Sequence, residues 1–249
     1  MAAAADHADD LRRSLPRETV RLVNGMIAKS MDVEHASGGA AAAAGSWDEH
    51  ATRYAGQERL EARAIEVALR LADPQLRDRV VDLATGTGLL LRGLATRDPR
   101  PATATGVDRS AGMLAQVGRL PDAWGVIRGD ARCVPLPDGA ADVVTCCYLL
   151  HLQGREDRGR VLREARRLLR SAPGSRLVIV TVWANRDTVG GRMLSAILPR
   201  VAAASPRRWG GLMPLDPTAE LRPAGLVATH RVVLPRGGYP SLVVRARVA

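Results

Sequence analysis

An acid and two glycines follow a short apolar run in residues 80–91, which read VVDLATGTGLLL. Asp82 ends the apolar run, Gly86 and Gly88 lie in the turn, and the leucines that follow are spaced as on a helix. The segment predicts a buried strand, a tight loop and the first turns of a helix. Glycine tolerates positive φ, and the amides at a helix start are donors with a partial positive charge. We expect a cradle for a phosphate or carboxylate group at the carboxyl end of the first strand of a doubly wound α/β fold.

The residue types in this loop discriminate between ligands. The fingerprint of a dinucleotide site requires a third glycine at the position of Leu91, and the carboxylate of Asp82 would repel a pyrophosphate. A ligand that carries a positive charge fits better beside that acid. Other nucleotide-binding folds remain the alternative at this point.

The loop resembles motif I of the class I S-adenosylmethionine-dependent methyltransferases, acid-x-Gly-x-Gly-x-Gly, with Ala84 in place of the first glycine. In that family the acid helps to hold the methionyl amino group, directly or through water, and the glycines let the cofactor lie on the loop. The resemblance therefore implies that Asp82, Gly86 and Gly88 bind S-adenosylmethionine.

Two further acids follow predicted strands. Asp108 ends the second strand, twenty residues after Gly88, where a carboxylate suits the two hydroxyls of a ribose. The resemblance implies the same role, and the alternative is an ordinary acid at a helix start. Residues 129–131, GDA, follow the third strand and resemble the family segment whose Asp accepts from the adenine amino group while the next amide donates to the ring.

The helix start SAGML at 110–114 resembles the family's Ser-x-x-Met-Leu, whose methionine packs near the adenine, and a core methionine is a compatible interpretation. The resemblance as a whole implies one set of cofactor-binding residues: Asp82, Ala84, Gly86, Gly88, Asp108, Arg109, Met113, Gly129, Asp130, Ala131 and Cys147.

Three residues are candidates for the chemistry at the acceptor. His151 follows the fourth predicted strand, at a position where the family commonly carries a histidine. It is either a general base or a residue that contacts the substrate. The alternative, which we favour, is that it orients the loop. Residues 47–54, WDEHATRY, resemble the Trp-Asp…Tyr cap of the ubiquinone/menaquinone-biosynthesis (methyltransferase type 11) group, which makes His50 and Tyr54 further candidates. The alternative for this segment is an ordinary helix with a buried Trp and Tyr.

The resemblance implies a doubly wound, Rossmann-like α/β sheet of seven strands in the order 3-2-1-4-5-7-6, with strand 7 antiparallel and an N-terminal helical cap. We expect an N-terminal helix and an Ala/Gly-rich linker over 1–46. The methyltransferase domain would occupy 47–249, with an insertion at 183–224 that covers the acceptor pocket.

The chain is basic, with a net charge of +10, and Lys29 is its only lysine. A basic surface suits nucleic acid or an anionic membrane, but the arginines are scattered, so we favour a bias in composition. The three cysteines suggest reduced, buried thiols rather than a disulfide framework or a metal site. The sequence shows neither a secretion signal nor an apolar run long enough to span a membrane, so we expect a cytoplasmic protein.

These observations predict an S-adenosylmethionine-dependent methyltransferase that acts by in-line displacement. The acceptor we expect is a small, partly apolar molecule, such as a natural-product or quinone-like intermediate. An RNA-directed methyltransferase and a non-catalytic cofactor-binding subunit are the alternatives. Nucleic acid is not the expected partner, and we allow for a homodimer.

Overall fold

The computed structural model describes Asp48 and residues 55–183, 214–235 and 240–249. The first helix, α1, spans Ala55–Ala72. Apolar side chains recur along it at helical spacing and bury one face against the sheet. The buried residues of this face are Ala64, Ile65, Ala68, Leu69 and Ala72.

A seven-stranded sheet forms the centre of the described structure, in the order β3-β2-β1-β4-β5-β7-β6. Strand β7 runs antiparallel to both of its neighbours, and the remaining pairs are parallel, which confirms the predicted topology. The strands are β1 Arg79–Leu83, β2 Thr103–Asp108, β3 Gly125–Arg128, β4 Val143–Cys147, β5 Arg176–Val182, β6 Leu226–Leu234 and β7 Ser241–Val248.

Helices cover both faces of the sheet. They are α2 Leu89–Ala95, α3 Ala111–Leu114, α4 Arg155–Leu168 and α5 Thr218–Leu221, with 3₁₀ turns at Leu150–Leu152 and Arg222–Ala224. Because side chains alternate along a strand, β5 contributes to two cores. Leu177 and Ile179 pack with α4, whereas Val178 and Val180 pack with α1 and α2.

The sheet order places β3, β2, β1 and β4 side by side, and these four strands are parallel. Their carboxyl ends therefore meet at one edge, and the chain reverses its direction of winding between β1 and β4. Open α/β sheets bind ligands at such a switch point. The segments after these four strands are the ones that the sequence analysis singled out.

Other sequence-based expectations meet the structure only in part. Residues 1–46 and 184–213 lie outside the described residues, so the proposed domain division stays a prediction. Among the described helices, none has the length and apolar character needed to cross a membrane. The expectation of buried thiols is wrong for Cys133, which is exposed because it lies in a turn beyond the sheet edge, while Cys146 is buried.

Candidate functional site

The loop after β1 is built from three left-handed residues. Ala84, Gly86 and Gly88 have φ of 56°, 55° and 81°. A Cβ on Gly88 would lie 2.8 Å from the side chain of Val117, so helix packing requires glycine there. A Cβ on Gly86 would meet no protein atom within 4 Å. The loop therefore presents open space at Gly86, where a ligand can approach the backbone closely.

Asp82, which precedes this loop, is almost completely buried at 2% exposure. Its two carboxylate oxygens accept hydrogen bonds of 2.7 Å from the hydroxyls of Thr85 and Thr145. Burial raises the pKa of Asp82 to about 6. The group is still largely ionised at neutral pH, so it supplies a buried negative charge, and it acts on a cation through space or through water more readily than by direct contact.

Asp108 joins the loops after β1 and β2. Its Oδ2 accepts from the amide of Gly86 at 2.9 Å, and its Oδ1 accepts from the amide of Ser110 at 2.9 Å. Burial raises the pKa of this carboxyl above its ordinary value. Each oxygen of a carboxylate can accept more than one hydrogen bond, so both remain able to accept from a diol.

Asp130, at the end of β3, is held by an arginine that the sequence analysis missed. The Arg132 guanidinium donates to both of its oxygens, at 2.6 Å to Oδ2 and 3.0 Å to Oδ1, and lowers the pKa of the Asp130 carboxyl. Arg132 also pairs with Asp157 of α4 at 3.0 Å. The neighbouring Gly129 donates its amide to the Asp108 carbonyl at 2.9 Å, which ties the two strand ends together.

The other proposed cofactor residues surround these acids. Met113 is 3% exposed, and its amide donates to the Ser110 hydroxyl at 3.0 Å. Arg109 follows Asp108 directly and is partly buried, as is Ala131. Cys147 is partly buried at the end of β4, and burial raises the pKa of its thiol well above the ordinary value, so it is neutral.

The end of β4 carries a strained residue beside the candidate base. Tyr148 has a φ of 56°, which is an outlier for a bulky side chain. Its hydroxyl lies 2.8 Å from the Ser241 hydroxyl, its amide donates to the Val180 carbonyl at 2.8 Å, and its ring meets His151 edge-on at 6.1 Å between centroids. These contacts hold the turn in its left-handed conformation.

His151 is 4% exposed, and burial lowers its pKa to about 3. Its Nδ1 has no hydrogen-bond partner within the described part of the chain. A neutral imidazole with such a low pKa is a weak base at pH 7, which argues against general-base catalysis by His151. The other two candidates, His50 and Tyr54, lie outside the described residues.

Two acids that the sequence analysis did not assign to the site brace its loops. Asp48 accepts from the amide of Gly112 at 2.7 Å and from the hydroxyl of Ser110. Glu58 of α1 accepts from the Thr87 hydroxyl at 2.5 Å and pairs with Arg92 at 2.6 Å. Asp48 belongs to the segment 47–54 that resembles the family's cap, and this resemblance could have indicated a place near the site. Nothing in the sequence around Glu58 indicated its contact with Thr87 and Arg92.

The carboxyl ends of these strands thus carry a row of acids. Asp130 follows β3, Asp108 ends β2, Asp82 lies near the end of β1, and His151 follows β4. Strands lie about 4.8 Å apart, so the row spans roughly 14 Å. Along this row, an elongated ligand could donate an exocyclic amine to Asp130 and a diol to Asp108. A cationic group at its other end would lie near the buried negative charge of Asp82. The edge suits a nucleoside that carries a positively charged tail.

Known proteins resemble this chain in sequence. Residues 80–172 match the family described as Methyltransferase domain. The demethylmenaquinone methyltransferase of Beutenbergia cavernae is 34% identical over 173 residues, covering 65% of this chain and 68% of that protein. The demethylmenaquinone methyltransferase of Thermus thermophilus is 38% identical over 122 residues, covering 47% of this chain and 51% of that protein. The chain spans about half the length of several such curated relatives.

A solved structure supports the architecture. An O-methyltransferase family protein from Burkholderia thailandensis superposes with a TM-score of 0.61 at 22% identity, covering 85% of this chain and 61% of that chain. At this level of identity the likeness concerns the fold.

Proposed function

Because this chain belongs to the class I S-adenosylmethionine-dependent methyltransferases of the ubiquinone/menaquinone-biosynthesis type, we propose that it transfers a methyl group from S-adenosylmethionine to a small, partly apolar acceptor. The observation that carries the proposal is the hydrogen bond between Asp108 and the amide of Gly86, which assembles the ribose acid and the glycine loop at one strand edge.

The residues at this edge fit the cofactor that members of the family use. The space in front of Gly86 is open to a ligand, and the acids match the polar groups of the cofactor in order. Asp130 and the Ala131 amide would hold the adenine, Asp108 the ribose, and Asp82 would stabilise the ammonium group. Arg109, Met113 and Cys147 would line the same site.

S-adenosylmethionine, when bound, supplies an electrophilic methyl group on a sulfonium. The contribution of the protein is to hold the acceptor in line with that methyl, and orientation of this kind is worth roughly 7–11 kcal/mol. The buried charge of Asp82 favours a cationic ligand, and His151 orients the acceptor side. If the acceptor must lose a proton, we propose His50 or Tyr54 ahead of His151, whose low pKa makes it a weak base.

For the acceptor, the relatives are the guide. Three of them are named demethylmenaquinone methyltransferases, so we propose a quinone-like acceptor, with a natural-product intermediate as the alternative. The partly buried Trp183 and Leu215, which pack beside β5, would form part of an apolar wall. We further propose that the protein acts in the cytoplasm without nucleic acid, and that a homodimer is its assembly if it self-associates.

The test is acceptor-dependent formation of S-adenosylhomocysteine. The chain would be incubated with S-adenosylmethionine and demethylmenaquinone, in the oxidised and in the reduced form, with total tRNA as the competing acceptor class. We expect turnover with the quinone-type acceptor, and the Asp108→Ala variant should abolish it, while Asp122→Ala, an exposed acid at the opposite edge, should not. Turnover with tRNA alone would overturn the proposed acceptor, and no turnover despite cofactor binding would favour the non-catalytic subunit.

A further inference from the structure

Asp48 contacts the loop after β2 although it lies more than sixty residues away in the sequence. One of its carboxylate oxygens, Oδ1, accepts from the Gly112 amide at 2.7 Å and from the Ser110 hydroxyl. The Arg128 guanidinium adds a favourable charge, and these interactions together lower the pKa of Asp48. The carboxylate is therefore ionised and bound at neutral pH.

The contact is close enough to require glycine on the other side. A Cβ on Gly112 would lie 2.9 Å from the Cα of Asp48 and 3.1 Å from its carbonyl oxygen. These are backbone atoms, which cannot move aside as a side chain can. Gly112 lies inside α3, where glycine is less favourable than alanine by roughly 0.5–1 kcal/mol, so the residue suits the contact rather than the helix.

The contact continues into the cofactor site. Ser110, which is fully buried, accepts from the Met113 amide and donates its own amide to Asp108 Oδ1 at 2.9 Å. Asp108 Oδ2 in turn accepts from the Gly86 amide at 2.9 Å. A continuous chain of hydrogen bonds thus joins Asp48 to the proposed ribose carboxylate and the glycine loop.

We propose that Asp48 is a positioning residue for cofactor binding, which acts by fixing Ser110 and through it the orientation of the Asp108 carboxylate. The inference rests on the proposed function and deepens it. It assigns to the segment before α1 a part in cofactor affinity, in particular for the ribose diol, without contact between Asp48 and the cofactor.

Calorimetry with S-adenosylhomocysteine tests the proposal through two variants that break the contact from opposite sides. Asp48→Ala removes the acceptor, and Gly112→Ala displaces the Asp48 backbone while it improves the helix. Each should weaken binding about fivefold, because a hydrogen bond that fixes the site is lost. Asp48→Asn keeps a neutral acceptor and should lie between wild type and alanine. The control is Gly125→Ala, where an added Cβ meets nothing within 4 Å and affinity should be unchanged.

A second ligand separates positioning from a general role in folding. Wild type should bind the 2′-deoxyribose analogue of S-adenosylhomocysteine more weakly than the parent, and this penalty should shrink in Asp48→Ala and in Gly112→Ala. Unchanged affinity in both variants, or equal weakening for both ligands, would overturn the inference alone. A wild-type chain that binds neither ligand would overturn the proposed function and the inference with it.

Discussion

The carboxylate of Asp108 accepts a hydrogen bond of 2.9 Å from the amide of Gly86, which fixes the end of β2 against the loop after β1. The same carboxylate accepts from the Ser110 amide, so two backbone donors determine its orientation. A carboxylate held in this way is preorganised, and a ligand that binds to it has less conformational freedom to remove from the protein. The two loops should therefore bind a ligand as one unit.

Asp82→Asn should stabilise the protein at neutral pH while it weakens cofactor binding. The pKa of Asp82 is about 6 in the folded protein, against an ordinary value of 3.8. The folded protein therefore binds this proton more tightly than the unfolded chain does. The resulting stabilisation of the fold is complete below pH 3.8 and is lost as the pH rises through about 6. Asparagine is neutral at every pH, so the variant should exceed wild type by roughly 3 kcal/mol at pH 7, and by much less at pH 4, where Asp82 is protonated in the folded protein. Urea denaturation at both pH values measures it.

The same substitution changes the pH dependence of binding. Wild-type affinity for S-adenosylmethionine should fall as the pH drops below about 6, because protonation removes the negative charge of Asp82. The Asp82→Asn variant should bind weakly and with little change between pH 5 and 8. A variant as pH-dependent as wild type would show that another group controls binding.

Ala84→Gly should stabilise the loop. An L-residue in the left-handed region costs about 1–2 kcal/mol, and the greater freedom of glycine in the unfolded chain offsets about 0.5–1 kcal/mol of the gain. Since Ala84 has a φ of 56°, we expect a net increase of about 0.5 kcal/mol in the free energy of unfolding. Ala84→Val, with a branched Cβ, should be destabilising, and a stabilising valine would contradict the described conformation.

His151→Gln should lower turnover by less than about tenfold and leave the shape of the pH–rate profile unchanged, because an orienting residue contributes no ionisation to it. The pKa of His151 is about 3 in the fold, far below the range in which turnover would be measured. Loss of a limb of the profile in the variant, or a decrease of several orders of magnitude, would identify His151 as the base after all.

Glu58→Gln should destabilise the fold by about 1 kcal/mol, since the Glu58 carboxylate binds both the Thr87 hydroxyl and the Arg92 guanidinium. Glu66→Gln on the same helix is the matched control, because Glu66 makes an exposed ion pair with Arg70 at 3.6 Å. Such pairs contribute little, and the control should stay within about 0.5 kcal/mol of wild type. Equal effects in a denaturation experiment would show that Glu58 does not brace the loop.

The sequence predicted what depends on local pattern. The segments before Asp82 and Asp108 are parallel strands, the first mostly buried and the second partly buried, and the strand order followed from the family resemblance. It could not predict contacts between distant residues, such as that of Asp48 with Gly112, because neither residue type nor spacing records them. The low pKa of His151 likewise comes from burial by surrounding elements, which no local pattern reveals.

Asp82 also shows which features the sequence predicts and which depend on contacts between distant residues. Its place after an apolar run predicted its position at the strand end, and the structure agrees. That both of its oxygens are occupied by Thr85 and Thr145 depends on β4 pairing beside β1, which the sequence of the loop alone does not contain.

The most direct test of the account is calorimetric titration of the full chain with S-adenosylmethionine and S-adenosylhomocysteine, with Asp108→Ala and the control Asp122→Ala beside wild type. We predict micromolar binding by wild type and by the control, and a loss of at least about tenfold in Asp108→Ala, since hydrogen bonds to a charged acceptor are removed. The account would be contradicted if wild type bound neither ligand, or if Asp108→Ala bound both as tightly as wild type.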